Sequence, residues 1–184
     1  MATVYNQDPL WSYYQTQQPT LFTGAEQRLT FLVHQLVRRC PNARVLDIGI
    51  GNGLFEKIAL AAGLDVYCLD PSSESIRLVR ERYALGIKAQ VGYSQQMPFR
   101  DNYFDGVVLS EVIEHLSDEV IAQTLPEVRR VLRQDGCVLV TVPARENLAN
   151  AIIFCPHCQQ QFHRWGHLQS FTPERLTALF SPYF

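Results

Sequence analysis

Three glycines follow a short apolar run in Val45-Leu46-Asp47-Ile48-Gly49-Ile50-Gly51-Asn52-Gly53. A backbone without Cβ atoms turns sharply and lets a ligand lie against its peptide groups. Asp70 ends the next apolar run, where its carboxylate can accept both hydroxyls of a ribose. The glycines are spaced G-x-G-x-G, not the G-x-G-x-x-G of dinucleotide sites, and an acid, Asp47, stands two residues before the first. A carboxylate there repels a diphosphate and suits an ammonium group or an ordered water. The expected ligand is therefore a nucleoside with a cationic head and no phosphate, a description that S-adenosylmethionine meets. A nicotinamide dinucleotide, or a strand-to-helix turn that binds nothing, are the alternatives.

Two further groups of residues carry chemistry. Cys155-Pro156-His157-Cys158, then His163 and His167, offer two thiolates and two imidazoles. That set matches the tetrahedral preference of structural zinc, and His157 could replace either imidazole. A redox pair at Cys155 and Cys158, or a loop without a ligand, are the other readings. Glu111 and His115 fall at i and i+4 of a short segment read as helical, so they share a face and are the candidate catalytic pair. A purely structural pair is the alternative. Trp11, Tyr13, Tyr14, Phe162 and Trp165 could frame an acceptor or simply pack.

These groups need a scaffold. Continuous apolar runs over Arg44–Ile48, Asp65–Leu69, Lys88–Gly92, Phe104–Leu109 and Cys137–Val142 read as strands covered on both faces. Helical patterns lie between them over Leu54–Ala62, Glu74–Leu85, Glu111–Leu116 and Asp118–Leu132. The alternation predicts a doubly wound α/β fold with a mostly parallel sheet. An amphipathic helix from Glu26 precedes the first strand and is stopped at Pro41, and a last helix is opened by Thr172 as cap and Pro173 as its first residue. Residues 1–24, which show no helical or strand period, are expected to be an arm or lid. Residues 25–145 would form the ligand-binding core, 146–171 the Cys/His loop and 172–184 the terminal helix.

A chain of 184 residues fits about one domain. Its net charge of −2 gives no general attraction to phosphate backbones, so nucleic acid is disfavoured as a partner, although Arg38, Arg39, Arg129, Arg130, Arg133 and Arg164 could cluster. No apolar run is long enough to cross a bilayer and the polar start lacks a leader pattern. With five scattered cysteines, a cytoplasmic protein with reduced or metal-bound thiols is expected.

Taken in order, these motifs resemble the class I S-adenosylmethionine-dependent methyltransferases over roughly residues 30 to 145. Asp47-Ile-Gly49-Ile-Gly51-Asn-Gly53 resembles their first motif and Leu69-Asp70-Pro71 the acidic end of their second strand. Met97-Pro98-Phe99, Asp101-Asn102-Tyr103-Phe104-Asp105, Ser110 to Leu116, and Glu127 to Leu132 with Gly136 extend the match. The resemblance implies a Rossmann-like sheet, and it places Gly49, Gly51 and Gly53 against the methionine part, Asp47 at its amino group, Asp70 at the ribose and Ser110 beside the sulfonium. Ser94 and Gln95 would reach the adenine, although Gly92-Tyr93-Ser94-Gln95 stands where many relatives have Gly-Asp-Ala-Glu. Glu111, Glu114 and His115 form a pattern similar to one that binds a divalent ion in ubiquinone-pathway O-methyltransferases and small-RNA 2′-O-methyltransferases. The family's last two strands have no counterpart here, which would leave a sheet edge open to homodimerisation. The implied reaction is methyl transfer to a small-molecule acceptor, releasing S-adenosylhomocysteine. A cofactor- or zinc-binding interaction domain and an RNA methyltransferase are the competing functions.

Overall fold

The computed structural model describes residues 8–18 and 24–184. After a helix α1 (Asp8–Gln17), the amphipathic α2 (Glu26–Arg39) leads into β1 (Arg44–Ile48), α3 (Leu54–Ala61), β2 (Asp65–Asp70), α4 (Ser73–Tyr83), β3 (Ala89–Val91), β4 (Phe104–Ser110), α5 (Asp118–Val131) and β5 (Leu132–Thr141). A small hairpin, β6 (Ile152–Phe154) with β7 (Gln161–His163), and α6 (Pro173–Phe180) follow. Five strands form one sheet in the order β3-β2-β1-β4-β5, with every pairing parallel. This is the expected α/β architecture, and the described residues add no strand beyond β5 to that sheet.

The core explains the arrangement. Leu29, Leu32, Val33 and Leu36 recur at helical spacing and bury one face of α2 against Val45, Val66 and Val108. On the other face of the sheet, Leu46, Leu69, Val107 and Leu109 meet Val128 and Val131 of α5. Each such side chain contributes about 1.5–3 kcal/mol by leaving water. Ser117 caps α5 by accepting from the Val120 N–H, and Thr172 caps α6 by accepting from the Arg175 N–H.

The structure departs from expectation in three places. Residues 8–17 are helical, although their inward face carries Trp11, Tyr14 and Gln15 rather than aliphatic residues; the rest of the expected arm, residues 1–7 and 19–23, lies outside the described residues. Glu111 has φ 59 and precedes a 3-10 turn at Ile113–His115, so it does not share a helical face with His115. The Cys/His segment is not a plain loop, because Ile152 pairs with His163 and Phe154 with Gln161 in an antiparallel hairpin.

Candidate active site

The chain leaves β1 with β2 on one side and β4 on the other, the switch point at which open α/β sheets receive ligands. A cavity of about 650 Å3 opens there, walled by the carboxyl ends of β1, β2 and β4 and roofed by α1. Gly49 and Gly51, at φ 82 and 56, line it. A Cβ on Gly49 would come within 2.6 Å of Val112 Cγ2, so only glycine fits where the turn passes the segment after β4. Gly53 also has positive φ but is not on the wall; its Cβ position meets Val79 Cγ1 at 2.8 Å, so it serves the packing of α3 on α4.

The two acids expected at the ligand both reach the wall, each 2% exposed. Asp70 accepts from the Ser72 N–H at 2.8 Å and the Ile50 N–H at 3.1 Å, which ties the glycine turn to the end of β2. Burial pushes its pKa up to about 6 against the pull of those donors. Asp47 is raised well above the usual carboxylate range, first by burial and then by the adjacent Glu56 carboxyl on α3. Ser94, Gln95 and Ser110 also line the cavity. The Ser94 hydroxyl bonds that of Thr124 at 2.8 Å, and the Ser110 hydroxyl accepts from Arg28 Nε at 3.2 Å. Arg28 is the one Lys or Arg on the described wall, and no motif marks it, because it stands among the polar residues of an ordinary amphipathic helix.

The roof is fastened at both sides. Gln15 donates its amide to Asp70 at 3.2 Å and accepts from the Ser75 hydroxyl at 2.5 Å. Trp11 meets the His115 ring edge-on at 4.5 Å, and Tyr14 donates to the Arg164 carbonyl and packs on Trp165. Of the aromatics named from sequence, Trp11, Tyr14 and Trp165 line the cavity; Tyr13 and Phe162 do not.

An imidazole corner adjoins the cavity, which His115 and His167 line. Glu114, His115 and His167 hold their ligand atoms within 4.8 Å of one another. Both Glu114 carboxyl oxygens and His115 Nδ1 are buried without a hydrogen-bond partner. Burial pushes Glu114 up to about 8 and His115 down to about 3, the neighbouring imidazoles adding to the latter. His167 Nδ1 bonds Glu146 Oε2; a carboxylate there can only accept, so the ring hydrogen sits on Nδ1 and Nε2 keeps its lone pair. Glu146, which no sequence motif singled out, is the group that orients this ring.

The expected zinc set is not assembled among the described residues. His163 accepts backbone N–H groups from Trp165 and His167 at Nδ1, which leaves its hydrogen on Nε2, 3.6 Å from Glu146. Ile152 pairs with His163, so Cys155 lies three residues further along the hairpin, about 10 Å away at strand rise. Cys155 and Cys158 are free thiols in the turn, and the Cys158 and His157 backbones lower the Cys155 pKa. Glu111 lines the cavity with His115 but stands outside the three-ligand corner.

Comparison with known proteins gives a consistent result. The family described as "Methyltransferase domain" matches residues 46–140. A probable S-adenosylmethionine-dependent methyltransferase of Mycolicibacterium smegmatis is 34% identical over 66% of this chain and 48% of its own length. A demethylmenaquinone methyltransferase of Renibacterium salmoninarum is 31% identical over 69% and 52%. The chain spans about half the length of the curated relatives it matches. Among solved structures, the 1,6-didemethyltoxoflavin-N1-methyltransferase of Burkholderia thailandensis, which holds S-adenosylhomocysteine, superposes with a TM-score of 0.73 at 19% identity, covering 99% of this chain and 76% of that one.

Proposed function

Because the chain belongs to the methyltransferase domain family, we propose that it transfers a methyl group from S-adenosylmethionine to a small-molecule acceptor in the cavity under α1. The observation that carries this reading is that Asp47, the Gly49–Gly51 backbone, Asp70 and Ser110 face one cavity. Their chemistry fits the ligand: acids for an ammonium and a ribose diol, and a bare backbone between them. When bound, S-adenosylmethionine supplies a methyl group on a sulfonium leaving group. The chain's own work is to hold and exclude. Asp70 grips the ribose, Asp47 orients the amino group, Arg28 pairs with the carboxylate, and Ser94 and Gln95 flank the adenine. Trp11, Tyr14 and Trp165 keep water from the acceptor.

The imidazole corner fits a divalent cation held by Glu114, His115 and His167, since both Glu114 oxygens and His115 Nδ1 are buried without a partner and His167 brings its ligand atom within 4.8 Å of theirs. Such an ion would make an acceptor hydroxyl more acidic, so an acceptor with an ionisable hydroxyl suits the site. The RNA reading finds less support, because Arg130 pairs with Asp101 and Glu127, and Arg133 with Asp105.

Calorimetry with S-adenosylmethionine, S-adenosylhomocysteine and NAD tests the cofactor assignment; failure of both sulfur nucleosides to bind removes it. A metabolite-pool assay with labelled methyl donor then identifies the acceptor. For the ion, Glu146→Gln is expected to weaken divalent-metal affinity by about 10–100-fold, with S-adenosylhomocysteine affinity unchanged. Equal metal binding in the variant would remove that part.

A further inference from the structure

The turn that closes the hairpin carries Cys155, Pro156, His157 and Cys158, which lie off the cavity wall and take no part in methyl transfer. The Cys155 carbonyl accepts from the Gln159 N–H at 2.8 Å, and the Cys155 N–H donates to the Gln160 carbonyl at 2.9 Å. The first bond winds residues 155–159 into a single helix-like turn. Side chains three apart on such a turn have Cβ atoms about 5–6 Å apart. Two sulfurs on one tetrahedral zinc, with Zn–S bonds of about 2.3 Å, are spaced about 3.8 Å, so both thiols can reach one ion. Gln159 holds the turn at φ 57, a strained value for a residue with a Cβ. The Cys158 N–H and thiol and the His157 N–H bond the Cys155 sulfur and hold its pKa below the usual thiol value, which suits a metal-bound thiolate.

Structural zinc takes four ligands, and this turn offers two. Among the described residues no third Cys, His, Asp or Glu joins Cys155 and Cys158 within ligand reach, His157 included. Residues 1–7 and 19–23 contain none of these four types. The chain therefore builds half a site, and it faces outward. Residues 156–160 are all exposed, as are the apolar Ile152, Ile153 and Phe154 that lead into the turn, at 44%, 40% and 57%. A two-fold axis through the ion turns two thiolates into four by using the same patch of both copies, the commonest symmetry of protein dimers.

We propose that Cys155 and Cys158 of two copies of this chain bind one zinc ion between them, joining the hairpin tips in a dimer. On binding, four S–H bonds break, four protons go to solvent and four Zn–S bonds form; nothing is oxidised or reduced. Phe154, the residue before Cys155, sits at the rim of that contact. The site is separate from the cavity, so it stands or falls independently of the cofactor reading and of the imidazole corner.

The test is metal loading of the full chain under a phosphine reductant, followed by cobalt substitution, bound-metal analysis and sedimentation. The wild type is expected to show thiolate-to-cobalt charge-transfer absorption, which the oxygen and nitrogen donors of the imidazole corner do not give. It should hold about half an equivalent of zinc per chain more than the double variant Cys155→Ser with Cys158→Ser, a difference in which the corner cancels. Zinc should double the sedimenting mass and a chelator should reverse this, while the double variant, folded by circular dichroism, keeps its mass throughout. Absence of the thiolate band, a full equivalent per chain at unchanged mass, or a mass that zinc and chelator leave unaltered each overturns the proposal. Zinc-driven doubling of the double variant also overturns it, assigning the contact to another surface. Should the double variant not fold, the wild-type band and mass decide alone.

Discussion

Asp70 and Gly53 belong to the same motif set yet do different work. Asp70 anchors the glycine turn through Ile50 and presents a buried carboxylate to the cavity. Asp70→Ala is expected to weaken S-adenosylhomocysteine binding by about 10–100-fold, the worth of about 1.5–3 kcal/mol for a hydrogen bond to a charged group. Calorimetry on folded protein reads this directly. Gly53→Ala should behave oppositely: a side chain at φ 80 that meets Val79 at 2.8 Å costs stability, while the folded fraction keeps its affinity. A thermal melt beside a titration separates the two, and a Gly53→Ala protein that melts normally but cannot bind would put Gly53 on the ligand. The acids and glycines were readable because a turn with positive φ and a buried acid leave few residue choices. Glu146, Arg28 and Glu56 were not, since each is an ordinary polar residue until the fold sets it beside His167, Ser110 or Asp47.

At the scale of elements, sequence periodicity carried the sheet because β1, β2 and β4 are apolar on both faces. It failed at α1 for a physical reason. That helix faces a cavity rather than a core, so the repeat at Trp11, Tyr14 and Gln15 is aromatic and polar. The hairpin was hidden as well, since its strands Ile152–Phe154 and Gln161–His163 are only three residues long. The short spacing of the cysteines and histidines suggested one metal site, but antiparallel pairing carries the thiols away from the imidazoles. The α1 contact gives its own prediction. Gln15 occupies an Asp70 oxygen that a ribose hydroxyl would use, so Gln15→Ala should raise the association rate of S-adenosylhomocysteine in stopped-flow fluorescence. An unchanged or slower rate would show that the amide does not stand in the ligand's way.

For the whole molecule, the buried acids tie stability to pH. In the unfolded chain Glu56 and Glu114 titrate near 4.5, whereas in the fold they are raised to about 7 and about 8. The native state therefore holds more protons over that interval, and stability falls as pH rises through it. His115, lowered to about 3 by burial, acts the other way, but only below its unfolded value near 6.5. Between pH 6.5 and 8 the two raised acids outweigh the one lowered thiol, Cys155, so the melting temperature measured with chelator and without cofactor should fall, and Glu114→Gln should flatten the decline. A melting temperature that climbs over this range would contradict the burial argument. The roof has a different bearing on the molecule as a whole. Its ties to Asp70, His115 and Trp165 close one doorway with latches on both jambs. If those ties must release before a visitor passes, the rate of entry is expected to stop climbing beyond a certain excess of visitor.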